Sequence, residues 1–410
     1  MLAAGIIVPA AAFLGERFGY KRIFCIALLG IFGVSILGAF AWCIEVLIVA
    51  RFIFGFTGGL LSPLSLAMLY RYMPSSQQTL AASVWSMTAM VGAVLSTCLS
   101  GFILSIASWR FLLLFNVPFA LIAVLLCIKV LPSDQTGNVV RMDGPGFVQT
   151  SIASFMLLFA FSNLSNWGMS VKLAVCIVVG LIFLLLYYLH SRKTETPLLN
   201  LAVLKYKRYC AAFISSGVNV IAIYMVTFLM PLFLQIGMGV SPAVTGLVML
   251  PGSIVSIIAM PIATKLYAKI GEKLVAVMGV VTISVGSIPF ILATPETPIL
   301  LLTSVQCVRC FGLAMVNLVS TNAQMSAVPP ELSGHASALT NWSHQMLNAL
   351  TVALAGSIAE LRVAHISGVE GGSLALAYTS TTNLMMLASC VLLMLMIPIA
   401  LKFYRNKNEC

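Results

Sequence analysis

The chain has 410 residues, of which 60% are hydrophobic and only 8% carry a charge, and its mean hydropathy is +1.07. Because a soluble globular domain carries about 25% charged residues, this composition excludes a water-soluble protein. The net charge of +11 comes without a basic tract long enough to follow a phosphate backbone, so nucleic-acid binding is not indicated.

Thirteen apolar stretches approach or exceed the roughly 20 residues that a helix needs to cross a bilayer. They are continuous runs rather than the alternating segments of a membrane barrel, so the sequence predicts an all-α integral membrane protein. In chain order the predicted spans are 1–14, 23–42, 46–69, 80–105, 110–131, 147–165, 171–190, 210–236, 243–263, 274–293, 299–325, 335–360 and 380–403.

Lysine and arginine residues are distributed unevenly between the two sides of the membrane. When successive loops are assigned to alternating sides, 17 of the 22 Lys and Arg residues fall on the side that holds Arg17. Such residues are enriched in cytoplasmic loops, so the bias predicts that Arg17 and the C-terminus are cytoplasmic. The exceptions are Arg110, Lys172 and Arg362 on the other side, and Arg51 and Arg309 inside spans.

The stretch around Arg17 recurs later in the chain. AAFLGERFGYK (11–21) aligns with ATKLYAKIGEK (263–273) at an offset of 252 residues, which pairs Gly19 with Gly271. Both copies follow an apolar span and lie on the basic side. Equivalent loops in two halves indicate a duplicated bundle, a layout typical of transporters.

The same stretch carries a family resemblance. FLGERFGYKR resembles the signature G-x-L-x-D-R-x-G-R-K, found between the second and third spans of the major facilitator superfamily. Leu14, Arg17, Gly19 and Lys21 match it, and Glu16 replaces its aspartate. The resemblance implies that this loop takes part in rocking between inward-open and outward-open states. A loop that only fixes topology is the alternative.

Two further motifs are similar to those of the family. ARFIFGFTGGLLSP contains Arg51 and is similar to the fourth-span motif R-x-x-Q-G-x-G, with Phe54 in place of the glutamine. GAVLSTCLSG is similar to the fifth-span antiporter motif, in which Gly92 and Gly101 are kept and both prolines are lost. The lost prolines weaken the indication of antiport, although not that of the fold.

The resemblance implies a major facilitator fold, with two pseudo-symmetric helical bundles plus two central extra spans. Those extra spans point to the fourteen-span drug:proton antiporter subfamily, and on that count the first span is missing. The implied division is an N-terminal bundle, two extra spans with a cytoplasmic linker, and a C-terminal six-span bundle, at 1–131, 132–208 and 209–410.

Two arginines inside predicted spans are candidate transport residues. A cation at the bilayer centre costs at least about 2.5–3.5 kcal/mol and indicates function by default. The resemblance makes Arg51 the fourth-span arginine associated with proton transfer, and a structural arginine bonded to carbonyls is the alternative. Arg309 occupies a related place in the second half, where functional and structural roles stay equally open.

None of the eleven acidic residues lies near the middle of a predicted span, so a proton carrier has to be sought elsewhere. His344 changes charge near neutral pH, with a reference pKa of about 6.5. Asn341, His344, Gln345 and Asn348 follow an i, i+3, i+4, i+7 spacing, which places them on one helix face. We predict that this face lines the central cavity. Hydrogen bonding between helices is the alternative for His344.

These features predict a secondary transporter, because the chain has no ATP-binding G-x-x-x-x-G-K-[ST] motif and no nucleophile–base pair or metal cluster of an enzyme. We expect proton-coupled efflux of drugs or amphiphilic organic compounds by alternating access, without a cofactor or metal. The expected partners are a small-molecule substrate, protons and the lipid bilayer of the inner (plasma) membrane, with no nucleic acid. We expect a monomer, and association with accessory periplasmic proteins stays open. The alternatives are a facilitator or importer of one metabolite, and an inactive truncated fragment.

Overall fold

The structure is a computed structural model that is almost entirely helical in the residues it describes. Those residues are 2–74, 99–104, 106–132, 143–168, 170–194, 197–329, 332–369 and 374–404, with single residues 85, 88, 92 and 96.

The helices in the first part of the chain come in two groups. The first group is α1 (Leu2–Ile7), α2 (Ala11–Phe18), α3 (Tyr20–Ala39), α4 (Ile44–Tyr72), α5 (Trp109–Leu114) and α6 (Asn116–Val130). The second group is α7 (Gly144–Ser162), the short α8 (Leu164–Trp167) and α9 (Val171–Ser191). A 3₁₀ turn, Val8–Ala10, joins α1 to α2 and contains Pro9, which cannot donate a backbone hydrogen bond.

The remaining helices form the last part of the chain. They are α10 (Lys207–Leu232), α11 (Pro242–Ile270), α12 (Glu272–Ile291), α13 (Ile299–Ser326), α14 (Ser333–Val369), α15 (Leu374–Met394) and α16 (Met396–Phe403). A 3₁₀ segment, Leu201–Lys205, precedes α10, and a π-helical segment, Phe233–Gly237, follows it.

Eleven helical stretches in the described part of the chain are long and apolar enough to cross a membrane. They correspond to eleven of the thirteen predicted spans. Of the other two, residues 1–14 fold as α1, the 3₁₀ turn and the start of α2, and most of 80–105 lies outside the described residues. The outer faces of the helices are apolar, as on α9, where Leu181 is 54% exposed and Leu185 is 57% exposed. Lipid, not water, suits such a surface, so the prediction of an all-α membrane protein is confirmed.

The helices pack mainly within two groups. In the first, α3 contacts α4 and α6, and α1 packs on α4; in the second, α13 contacts α10, α11 and α12, and α10 also contacts α14 and α15. The α12–α13 contact depends on small residues: a Cβ atom on Gly312 would lie 2.6 Å from the carbonyl oxygen of Gly279. Such close backbone approach is how membrane helices associate without a hydrophobic driving force.

The helices α7 and α9 pack against each other, and α7 also contacts α1 and α14. Asp143 joins the start of α7 to the end of α9 through hydrogen bonds. One carboxylate oxygen, Oδ1, accepts from the Gly146 N–H at 2.9 Å and lies 2.6 Å from His190 Nε2, while Oδ2 accepts from the Leu198 N–H at 3.1 Å. The segment that leads into α10 is therefore anchored to this helix pair.

Candidate functional site

The two related loops predicted from the sequence repeat have the same backbone form. Gly19 ends α2 and starts α3 with a φ of 95°, and Gly271 ends α11 and starts α12 with a φ of 87°. This region of φ is open to glycine and strained for other residues. Each of the two glycines separates two successive helices, so the repeat seen in the sequence is also a repeat of backbone geometry.

The first loop is fastened to the end of α6. The Lys21 ammonium group donates to the carbonyl oxygens of Ile128 and Leu131, at 2.9 and 2.6 Å. These are among the last carbonyls of the helix, which lack partners within it and attract positive charge. Arg17 lies over the rings of Phe13 and Phe18, 5.7 and 5.4 Å from the ring centroids.

The other predicted residues of this loop differ in burial. Leu14 packs at the edge of a buried cluster that includes Tyr20 and Leu64, whereas the Glu16 side chain is exposed. The loop therefore offers an exposed acid and an exposed Arg17 beside an anchored Lys21.

The second loop has a different chemistry next to its glycine. Glu272 follows Gly271 and is fully buried, and its carboxylate oxygen Oε2 lies 2.6 Å from Nη2 of Arg208 at the start of α10. The corresponding residue in the first loop is Tyr20, which is 7% exposed and lies under the guanidinium of Arg71 at 5.4 Å. The two loops share the backbone turn but differ in the contact next to it. That contact is an ion pair at Glu272 and a cation–π contact at Tyr20.

Arg51 lies in the eighth position of α4, and its side chain is exposed. It makes no hydrogen bond or ion pair with any residue that the structure describes. It borders a very small cavity between α3, α4 and α5 that is also lined by Ser35, Phe54 and Leu113. Ser35 is 1% exposed, and its hydroxyl oxygen has no hydrogen-bond partner. The arginine and the hydroxyl together form a polar spot in an otherwise apolar part of the bundle.

Arg309 lies in the interior of the other helix group and is 1% exposed. Its Nη2 donates to the carbonyl oxygen of Ala222 on α10 at 2.7 Å, and its Nε donates to the hydroxyl of Ser287 on α12 at 3.3 Å. Gly286 allows α12 to approach, because a Cβ atom there would lie 2.8 Å from the backbone nitrogen of Arg309. No carboxylate of the described residues pairs with this guanidinium. Arg309 thus joins α10, α12 and α13 through neutral acceptors.

His344 lies on α14 and is half-buried. Its Nε2 atom is 3.0 Å from the hydroxyl oxygen of Ser216 on α10. Gln324 on α13 donates to the same hydroxyl from Nε2 at 2.7 Å, and accepts at Oε1 from the Thr340 hydroxyl at 2.7 Å. Tyr209 completes the group, with its hydroxyl 3.1 Å from that of Thr340. The polar groups of three helices therefore meet behind His344.

The three amide residues grouped with His344 differ in exposure along the helix. Asn341 is exposed and its Nδ2 donates to Ser337 at 3.4 Å, while Gln345 is half-buried. Asn348 is 8% exposed, and its Oδ1 atom has no hydrogen-bond partner. The four residues share a helix face, but burial increases from Asn341 to Asn348.

The two glycines of the fifth-span motif are both among the described residues. Gly92 is exposed, and no atom of the described residues lies within 4 Å of where its Cβ atom would be. Gly101 is buried, and a Cβ atom there would lie 2.7 Å from the carbonyl oxygen of Pro242, the first residue of α11. The two halves of the chain therefore touch at Gly101, on the membrane side opposite the loop at Gly19.

Sequence reasoning missed the partners of His344. Ser216, Gln324 and Thr340 carry no recognisable motif, and Gln324 lies 108 residues from Ser216. The available signal was a set of polar residues within otherwise apolar spans. In membranes such residues need partners on neighbouring helices, so each of them could have been predicted to form a hydrogen bond between helices.

A helical membrane protein with two related halves, turned by equivalent glycines and holding buried polar groups between helices, belongs to the class of membrane transporters. The model of the Major Facilitator Superfamily matches residues 1–353. The chain is therefore a member of this superfamily and a multi-pass membrane transporter of small molecules, not an enzyme. The predicted all-α major facilitator fold is confirmed.

Relatives of the chain include named transporters. The multidrug efflux pump LfrA of Mycolicibacterium smegmatis is 25% identical over 358 residues, which cover 87% of this chain and 71% of that protein. The uncharacterized MFS-type transporter YcnB of Bacillus subtilis is 27% identical over 367 residues, covering 89% and 78%. Among solved structures, a D-xylose-proton symporter superposes with a TM-score of 0.65 at 14% identity, covering 100% of this chain and 87% of that chain. At this identity the structural likeness shows the fold alone.

Proposed function

We propose that the protein is a proton-coupled exporter of drugs or other amphiphilic organic compounds that works by alternating access. The observation that carries the proposal is the similarity, along 87% of the chain, to a protein named a multidrug efflux pump. Membership of the superfamily makes transport the established part. The substrate class, the direction and the coupling ion are what we propose.

Alternating access is supported by the arrangement of the two halves. Equivalent loops at Gly19 and Gly271 turn the chain in each half, and Lys21 fastens the first loop to α6. The halves touch at Gly101 and Pro242 on the opposite membrane side. We propose that one loop acts as a conformational switch as the transporter rocks between its inward-open and outward-open states. The residues of this loop are Leu14, Glu16, Arg17, Gly19 and Lys21.

We further propose the fourteen-span subfamily and the division at 1–131, 132–208 and 209–410. In support, α7 and α9 pack against each other, while the helices before and after them pack mainly among themselves. A cytoplasmic C-terminus is a further part of the proposal and is supported by the bias of basic residues. We also propose the inner membrane as the location and a monomer as the oligomeric state. Accessory periplasmic proteins stay an open option.

The proposed roles of the charged and polar residues follow their surroundings. Arg51 is free of partners among the described residues, so we propose that it takes part in proton coupling. His344 is proposed as the group that binds and releases the proton, because it can change charge while an arginine cannot. Asn341, Gln345 and Asn348 are proposed to line the cavity beside it. For Arg309 we propose a brace between helices, since its guanidinium is already bonded on two sides.

The direct test is efflux of an amphiphilic dye from cells or proteoliposomes that contain the purified chain. We expect efflux that requires a pH gradient and stops when a protonophore abolishes it. One proton crossing 100 mV supplies about 2.3 kcal/mol, enough for roughly a fiftyfold gradient of a neutral compound. Liposomes without protein and His344→Gln protein serve as controls. Dye movement that ignores both the pH gradient and the protonophore would contradict proton coupling.

The second candidate is a facilitator or importer of one metabolite. It is favoured by the fifth-span segment GAVLSTCLSG, which lacks the prolines of the antiporter motif. A proline-free helix keeps its backbone hydrogen bonds and lacks the kink that proline introduces. In the same liposomes this candidate predicts saturable movement of a single compound down its gradient, with no accumulation. An inactive fragment predicts no movement of any compound at normal protein content.

A further inference from the structure

A group of hydrogen bonds lies directly behind His344 and joins α10, α13 and α14. Gln324 is at its centre and is 1% exposed. Its Nε2 contacts the Ala212 carbonyl oxygen at 3.1 Å and the Ser216 hydroxyl at 2.7 Å, and its Oε1 contacts the Thr340 hydroxyl at 2.7 Å. Ser216 is itself 2% exposed. Gln324 and Ser216 are therefore closed off from water, and each hydrogen that they carry needs a partner.

The orientation of the Gln324 side chain follows from these contacts. A backbone carbonyl oxygen can only accept, so the atom 3.1 Å from the Ala212 oxygen has to be the amide nitrogen. The same nitrogen then donates its second hydrogen to the Ser216 hydroxyl oxygen. The amide oxygen is left to accept from Thr340. The Ser216 hydroxyl oxygen therefore accepts one hydrogen bond, from Gln324 Nε2.

The hydroxyl of Ser216 has one hydrogen to give. The carbonyl oxygen of Phe213, one turn earlier on α10, lies 2.9 Å from the hydroxyl oxygen and can take that hydrogen. With the hydrogen assigned to Phe213 and one lone pair taken by Gln324, the oxygen accepts from His344. The His344 atom 3.0 Å away is Nε2, so this assignment places the hydrogen on Nε2. In a neutral imidazole the other nitrogen, Nδ1, is then the one without a hydrogen.

We infer that Ser216 and Gln324 are positioning residues that hold neutral His344 with its hydrogen on Nε2, so that Nδ1 is the atom that takes up the transported proton. The inference rests on the proposed function. It names Nδ1 of His344 as the atom that binds the proton, and Ser216 and Gln324 as the residues that orient the ring. A proton added at Nδ1 converts the imidazole to an imidazolium, and its loss from Nδ1 restores the neutral ring. Ser216 accepts from Nε2 throughout, so the ring keeps its orientation in both states.

The surroundings of His344 contain no described acidic side chain in contact with it. The elements packed against α14 are α1, α7, α8, α10, α13, α15 and the two 3₁₀ segments, Val8–Ala10 and Leu201–Lys205. Helices α1, α7 and α8 and the segment Val8–Ala10 contribute no charged side chain in their described sequence. The ionisable groups on the other elements and on α14 itself are Lys205, Lys207, Arg208, Tyr209, Cys210, Tyr224, Cys307, Arg309, Cys310, Tyr378, Cys390, His335, Glu360, Arg362 and His365. Of these, Tyr209 belongs to the same hydrogen-bonded group, through Thr340.

The first test measures the tautomer itself and needs no transport. Nitrogen-15 spectra of histidine-labelled full chain would be recorded at high pH, with His344→Gln protein used to assign the His344 signals among the four histidines. We expect the hydrogen on Nε2 in the unaltered chain, and a mixture of tautomers in Ser216→Ala. A hydrogen found on Nδ1 in the unaltered chain would overturn the inference.

The second test uses the pH profile of dye efflux. An acceptor bonded to Nε2–H stabilises the imidazolium more than the neutral ring, because a charged donor makes the stronger bond. Ser216→Ala is therefore expected to move the midpoint of the profile about 0.5–1 pH unit lower. Ser216→Thr keeps the hydroxyl and is expected to keep the midpoint. A shift to higher pH would mean that Ser216 donates to His344, contrary to the inference.

The matched control is Ser284→Ala. Ser284 is also a buried serine of the second helix group, bonded back to the carbonyl of Val280 at 2.9 Å, but it lies outside the group around Gln324. We expect neither the spectrum of His344 nor the pH midpoint to change. If His344→Gln leaves the pH profile unchanged while the tautomer result holds, the proposed proton role fails and the positioning by Ser216 stands.

Discussion

Arg51 and Arg309 occupy corresponding helices of the two halves, yet the structure treats them in opposite ways. Each lies in the second helix after a positive-φ glycine: Arg51 in α4, after Gly19, and Arg309 in α13, after Gly271. Arg51 is exposed and has no described partner, whereas Arg309 is buried and bonded to two neighbouring helices. The comparison shows that arginines in corresponding helices can have opposite surroundings. We propose that the role of each depends on whether its donors are already used.

The two halves also show how a duplicated framework keeps its backbone while its side chains diverge. Gly19 and Gly271 have nearly the same φ, but the residue after each is a tyrosine in one half and a buried glutamate in the other. A backbone turn depends on one glycine, whereas a fastening pair needs two matched side chains. The backbone turn is therefore more alike in the two halves than the side-chain pair that fastens it.

The largest effect on stability is expected from Arg309→Ala. The change removes two hydrogen bonds between helices and leaves a void in a closed bundle, so we expect the free energy of unfolding to fall by about 2–4 kcal/mol. Thermal unfolding of the detergent-solubilised protein would measure it. Arg309→Met, which fills most of the volume without a charge, is expected to recover much of the loss and to keep efflux. A stable Arg309→Met protein without efflux would show that Arg309 acts in transport after all.

Arg51→Ala is expected to give the opposite pattern. The side chain has no described partner to lose, so the unfolding temperature should stay the same, while dye efflux should fall at least about tenfold, or roughly 1.4 kcal/mol. Efflux rates normalised to protein content in the membrane would check this. Arg51→Lys keeps the charge, and its efflux rate is expected to lie between those of the unaltered chain and Arg51→Ala. Unchanged efflux in Arg51→Ala would remove the contrast between the two arginines.

The shared turn can be tested with alanine at each glycine. Gly19→Ala and Gly271→Ala force a Cβ atom into a strained backbone region, so each is expected to cost about 1–2 kcal/mol of stability. Gly33→Ala is the control, because Gly33 is inside α3 and none of the described part of the chain lies within 4 Å of its Cβ position. There we expect no loss, or a small gain. Very unequal losses at Gly19 and Gly271 would mean that the two turns are not equivalent.

The smallest effect is expected where the halves touch. Gly101→Ala places a Cβ atom 2.7 Å from the Pro242 carbonyl oxygen, which should hinder closure on that side and slow efflux by about threefold, or roughly 0.6 kcal/mol. Gly92→Ala should have no effect, because no atom of the described residues lies within 4 Å of its Cβ position. Cross-linking of cysteines placed on either side of the contact would report the closure. Equal efflux in the two variants would indicate that the halves do not approach further here.

Much of the fold could be predicted from the sequence because its signals are local. Apolar runs mark spans wherever they occur, and the repeat of the loop from 11–21 at 263–273 requires only alignment. The alignment pairs Gly19 with Gly271, and both glycines have a positive φ in the structure. The candidate site was found less completely: His344 and Arg309 were selected as unusual residues within spans, but Ser216 and Gln324 were not.

The chain by itself determined a helical membrane protein with two related halves, since helix formation in lipid satisfies backbone groups within each segment and needs no distant partner. Only the tertiary structure decided what the polar residues do. Arg309 meets an acceptor 87 residues away, and His344 meets one 128 residues away. Such meetings depend on how far each helix is rotated about its axis and which neighbour it faces. These variables are set by the packing of whole helices, and no short stretch of sequence contains them.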